Sequence, residues 1–105
     1  STIQVLISKY EYDMNKMQVQ TNLLTTFRNY QQAKTILKLE EENMKMVEQT
    51  IKIALEAFRI GKISSLELKD VQKSFDDVQV RVINARYDAK IAEAQLMHIN
   101  GVLVK

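Results

Sequence analysis

Proline is absent from the chain, and glycine occurs only twice, at Gly61 and Gly101. These two residue types supply most of the tight changes of direction in proteins. A chain almost without them has few turns. β-sandwiches and barrels need a turn every ~8–12 residues, so they are excluded. The two glycines divide the 105 residues into long uninterrupted stretches, each free of helix breakers.

The stretch after Gly61 carries the cleaner pattern. Leu68, Val71, Phe75, Val78, Val82, Ala85, Ala89, Ala92, Leu96 and Ile99 follow one another at spacings of three and four. That is the repeat of a coiled-coil seam. Val78-Gln79-Val80-Arg81-Val82 alternates as a strand would, but the heptad runs through it unbroken. Before Gly61 the same repeat joins Leu23, Tyr30, Leu37, Met44, Ile51 and Phe58, with Thr26, Ala33, Glu40, Val47 and Ala54 between them. Glu40 is the one charged member. Ile3, Leu6, Tyr10, Met14 and Met17 continue a similar stripe upstream in looser phase.

A second stripe, Ile36, Leu39, Asn43, Met46, Thr50, Ile53, Ala57 and Ile60, runs along another face of the first helix. A helix that pairs with one neighbour needs one seam; two seams predict a helix between two neighbours. The later helix has a weaker second face in Val80, Ile83, Tyr87, Ala94 and Met97.

The joint is well specified. Gly61 stands where the left-handed residue after a helix belongs, and Arg59 sits in a last turn, where a cation suits the helix dipole. Ser64-Ser65-Leu66-Glu67 reads as a capping box, with Ile63 and Leu68 as its hydrophobic staple. The fold class expected is therefore all-α: a long antiparallel coiled-coil hairpin with a helix over about 2–60, a turn at 61–64 and a helix over about 65–100. At ~1.5 Å per residue the first helix is about 87 Å long and the second about 52 Å. The second runs out near Leu24, leaving residues 1–23 without a partner. An unpaired amphipathic helix is marginal in water, which predicts an oligomer or a missing part.

Composition closes off other classes. With 15 basic and 13 acidic residues the net charge is +2, too balanced to indicate a nucleic-acid partner. There is no cysteine, and His98 is the single histidine, so neither a disulfide framework nor an ordinary zinc site can be built. No apolar run approaches the ~20 residues of a transmembrane helix. Ser1-Thr2-Ile3-Gln4 does not open a signal peptide. The chain starts inside an apparent helix, so residues 1–105 read as a single region excised from a larger protein.

Chemistry is scarce. Glu40-Glu41-Glu42 and Asp76-Asp77 read as solvated faces, His98 as a surface or interface residue, and the methionines and tyrosines as packing. No phosphate loop, nucleophile motif or metal motif appears. No catalytic, cofactor or metal residues are assigned, and an enzyme is not expected. Acids and bases are mixed along the helices, unlike a membrane-surface helix. The turn has two readings: a well-capped loop, or a presented tip in which Ile60 or Ile63 beside Lys62 forms a docking knob.

The stretch Ala57-Phe58-Arg59-Ile60-Gly61-Lys62-Ile63-Ser64-Ser65-Leu66-Glu67-Leu68, with the later Ala85-Arg86-Tyr87, Ala89, Ala92, Leu96 and Gly101, resembles the C-terminal half of TolC-type outer membrane efflux proteins. Phe27-Arg28-Asn29-Tyr30 sits where that family has an aromatic followed by Asn. The resemblance covers nearly the whole chain and is firmest over residues 50–101.

The resemblance implies a homotrimer in the outer membrane of a Gram-negative bacterium. Its protomers contribute long helices to an α-barrel in the periplasm, and this chain would supply part of that barrel. Hairpin tips close the periplasmic entrance and dock a periplasmic adaptor, and through it an inner-membrane pump, in a tripartite efflux or type I secretion system. Arg59, Ile60, Gly61, Lys62, Ile63, Ser64 and Ser65 would be the docking and gating tip. Glu67 and Asp70 match positions where some members place acidic residues lining the entrance, where they would favour cations. The chain departs from the family in lacking barrel strands and the first repeat, and in carrying Ile63 where a polar gate residue can stand. The alternative reading is a generic coiled-coil interaction module or adaptor hairpin with no channel role.

Overall fold

The structure, a computed structural model, describes residues 1–104. Two helices account for nearly all of them: α1, Thr2–Arg59, of 58 residues, and α2, Ser65–Val104, of 40 residues. No strand occurs among the described residues. The helices lie side by side in a rod measuring 88 × 22 × 13 Å. Its length is that of α1 alone at ~1.5 Å per residue, so α1 is the spine and α2 covers part of it.

Polar residues inside the helices are accommodated locally. The hydroxyls of Thr26, Thr35 and Thr50 donate to the carbonyls of Asn22, Gln31 and Met46, each four residues back, at 2.8–3.0 Å. These bonds let a β-branched hydroxyl sit on a helix without an unmet donor. Thr26 uses one to stand in the seam itself.

The seam is the heptad read from the sequence. On α2, Leu68, Val78, Val82, Ala85 and Ala92 are buried, and Val71, Phe75, Ala89, Leu96 and Ile99 are half-buried between them. Every member of the α2 series faces α1. On α1, Leu23, Thr26, Tyr30, Ala33, Leu37, Glu40, Met44, Val47 and Ile51 are half-buried and Ala54 is buried. Only Phe58 departs, remaining exposed while Ala57 is half-buried. Counted outward from the turn, Phe58 lies level with Glu67, which is off the seam, and Ala57 lies level with Leu68.

The charged member of the seam has a partner. Arg81 Nε donates to Glu40 Oε2 at 2.9 Å across the two helices, and Arg86 Nε lies 3.9 Å from Glu41 Oε1 beside it. The large apolar members of the second stripe of α1 are uncovered: Ile36, Leu39, Met46, Ile53 and Ile60 are all exposed, while Asn43 and Ala57 are half-buried. So is the corresponding face of α2 at Val80, Ile83, Tyr87 and Met97.

Two expectations about the open end need correction. Gly101 does not end α2, which continues to Val104. Gly61 is the only described glycine with positive φ. A glycine in ordinary helical conformation weakens a helix by ~1 kcal/mol without stopping it. The longer α2 also shortens the uncovered stretch of α1. Val19 and Asn22 share a groove with His98, Ile99 and Val102, so the helices still run together there. The overhang begins below Val19 rather than below Leu24.

Candidate functional site

The turn is built by complementary caps. Gly61 has φ +78°, the left-handed region that glycine enters without penalty. Its amide donates to the Phe58 carbonyl at 3.0 Å, and the Lys62 amide to the Ala57 carbonyl at 2.7 Å. This pair of bonds is a Schellman motif, and it satisfies carbonyls that the end of α1 would otherwise leave open. Ile60 is the C-cap, its own amide bonded to the Glu56 carbonyl at 3.1 Å.

Ser64 restarts the chain. Its carbonyl accepts from the Leu68 amide at 3.0 Å, and its hydroxyl accepts from the Glu67 amide at 3.1 Å. The hydroxyl in turn donates to Glu67 Oε1 in a long bond of 3.4 Å. This is the expected capping pair, with one difference: the Glu67 carboxylate meets the Ser64 hydroxyl. Ile63 is half-buried and Leu68 buried, consistent with the staple.

The seven tip residues occupy the end of the rod, and their side chains differ in availability. Arg59 is turned back along α1, its Nε and Nη2 bonded to the two carboxylate oxygens of Glu56. That bidentate bond holds the Glu56 carboxyl below its usual range and the Arg59 guanidinium above its own. Lys62, Ser64 and Ser65 are exposed, and Ile60 is 52% exposed. Glu67 and Asp70 are exposed on the first turns of α2, Glu67 engaged in the cap.

Two tip residues were not singled out in the sequence. Leu66 is 68% exposed, the most exposed apolar side chain near the turn. Its signal was its absence from the α2 seam, which starts at Leu68. Glu56 was signalled by its spacing of three from Arg59, which places the two on one helix face. The tip therefore offers Ile60 and Leu66 as apolar surface, with the exposed cation Lys62 between them in sequence.

The family profile described as outer membrane efflux protein matches residues 1–102. The chain belongs to the outer membrane efflux protein family. Neither a curated protein nor a solved structure matches it. Membership makes the chain a component of an outer membrane efflux channel, in a family of transport proteins. Among the described residues no helix is long and apolar enough to cross a membrane. What this outer membrane efflux protein segment contributes is a rod with one covered face, one open face and a capped tip.

Proposed function

We propose that the chain is a periplasmic helical wall segment of a trimeric outer membrane efflux channel, residues 1–105 forming one coiled-coil region of a larger protein. The observation that carries this reading is the open second face of α1. Ile36, Leu39, Met46, Ile53 and Ile60 are exposed in the hairpin, yet they belong to a stripe, completed by Asn43, Thr50 and Ala57, with the same three-and-four spacing as the covered one. A helix in the wall of an α-barrel has neighbours on both sides, and copies of the protomer and its other helices would cover that stripe.

The tip docks a periplasmic adaptor and, through it, an inner-membrane pump. Arg59, Ile60, Gly61, Lys62, Ile63, Ser64 and Ser65 form the docking and gating end. Exposed Ile60 and Leu66 supply apolar contact, and Lys62 supplies a charge to orient it. Glu67 and Asp70 line the entrance and draw cations toward it. Opening is a small unwinding of one hairpin against the next, a shift between two packings.

A cysteine at Lys62 in the parent protein tests the docking. It is expected to crosslink to the cognate adaptor in cells, giving a band that needs both proteins. A crosslink no stronger than that of a cysteine at an exposed mid-rod site such as Lys38 overturns tip docking.

A further inference from the structure

The returning helix has two apolar faces of α1 to choose between. From Ile36 to Ala57 each residue of the open stripe precedes a residue of the covered one by a single position, so the two faces are rotated by ~100°. Side by side the two faces are close in apolar content: Met44, Ile51 and Phe58 of the covered stripe stand next to Asn43, Thr50 and Ala57 of the open one, and elsewhere the balance reverses. Leu39, Met46 and Ile53 stand next to Glu40, Val47 and Ala54. Burial is proportional to apolar area, which therefore does not by itself decide between the two faces. The structure covers the stripe that holds Glu40: Ala54 is 8% exposed and Ile53 71% exposed. A short turn fixes the level at which residues of α1 and α2 meet. Along the rest of the rod, the side of α1 on which the second helix lies depends also on what the two seams carry.

The charged groups distinguish the two faces. Glu40 is the only charged member of the α1 seam, and its side chain is 13% exposed. Arg81 of α2 reaches it with Nε 2.9 Å from Oε2. Arg86 extends toward Glu41 in the same direction. With α2 on the open face, Leu39 would stand at the seam position where Glu40 now receives Arg81. A single polar residue at a seam position is a known way to fix pairing at some cost in stability. We propose that the Glu40–Arg81 pair, assisted by Glu41–Arg86, selects the face on which the hairpin closes and so keeps the second face free. Both are positioning residues.

The chain has no cysteine, so single thiols report each face without ambiguity. In the otherwise unaltered chain, kept dilute, Ile53→Cys should be alkylated much faster than Ala54→Cys. Glu40→Leu should reduce that ratio about fivefold, the factor a partly exposed ion pair can supply, with the helical circular dichroism signal retained. Glu40→Gln, which keeps the shape and loses the charge, should reduce it in the same direction. The exchanged pair Glu40→Arg with Arg81→Glu should restore it. An unchanged ratio in Glu40→Leu overturns the proposal, as does failure of the exchanged pair to restore it. Loss of the helical signal in Glu40→Leu also overturns it, because an apolar residue at position 40 continues the seam.

Discussion

Residues 2–18 and residues 23–58 belong to one helix and carry one kind of pattern, but only the second stretch is covered. Ile3, Leu6, Tyr10, Met14 and Met17 are all exposed, whereas their counterparts from Leu23 to Ile51 are at least half-buried. The difference lies in the partner: α2 has 40 residues to set against 58. An apolar stripe specifies a capacity to be buried, and the length of the neighbour decides where that capacity is used. The uncovered stretch rests on helix propensity and continuity with the paired stretch, which is weak support in water.

A matched pair of substitutions tests this contrast hardest. Val82 is 4% exposed in the centre of the seam. Val82→Asp buries an unpaired charge and should cost about 3 kcal/mol or more, enough to abolish much of the helical signal. Leu6→Asp, in the overhang, should shift stability by no more than ~0.5 kcal/mol. Thermal melts followed by circular dichroism give both numbers. Equal losses would mean that the overhang is packed against something and the contrast is false.

The next effect is at the turn that makes the pairing possible. Gly61→Val forces a β-branched residue into φ +78°. The left-handed region costs a non-glycine residue ~1–2 kcal/mol, with β-branched residues at the upper end. A Cβ on Gly61 meets nothing within 4 Å, so the cost is one of backbone conformation alone. Gly61→Asn should therefore recover most of the loss, since Asn tolerates this conformation. If Asn is as harmful as Val, the turn is constrained by packing that the hairpin lacks. Under the proposed function, Gly61→Val also lowers efflux in cells, read as drug resistance of a strain depending on the parent protein.

Ser64→Ala should cost about 1 kcal/mol by freeing the Glu67 amide, and Ser64→Asp should retain the cap. The effect belongs to the paired half of the molecule, because the cap starts the helix that covers α1.

The architecture was legible because its signals are periodic and local. The seam on α2 could be read residue by residue, since a spacing of three and four has only one face to occupy. Gly61 and Ser64 announced the turn through their own chemistry. Gly101 misled because glycine signals a helix end only when it takes positive φ, and nothing in its neighbours specifies that. Glu40 read as an intruder because its partner, Arg81, lies 41 positions away in the chain. Side chains that meet through the fold leave no spacing to detect. Leu66 shows the same limit at the site: a residue is exposed by what does not cover it, and a single sequence records that only as a gap in a stripe.

The smallest expected effect concerns the ion pair at the end of α1. Glu56 ordinarily titrates near 4.5, and its hydrogen bonds from Arg59 lower that value in the folded chain. A carboxyl with a depressed folded pKa stabilises the fold above its unfolded value and loses that contribution as pH falls through the folded one. The pair therefore helps at neutral pH and ceases to help in acid below 4.5. Both side chains are solvent-exposed, so the contribution is small and screened by salt. The measurement is the difference in melting temperature between the unaltered chain and Glu56→Gln. It should be slight near neutrality, shrink toward zero in acid, and shrink likewise at high salt. A difference that grows on acidification would reverse the sign of the linkage and show that Glu56 is held by Arg59 against a repulsion elsewhere at the tip. Because Arg59 is occupied by this bond, the variant also frees a second cation beside Lys62, which separates the stability of the tip from its charge.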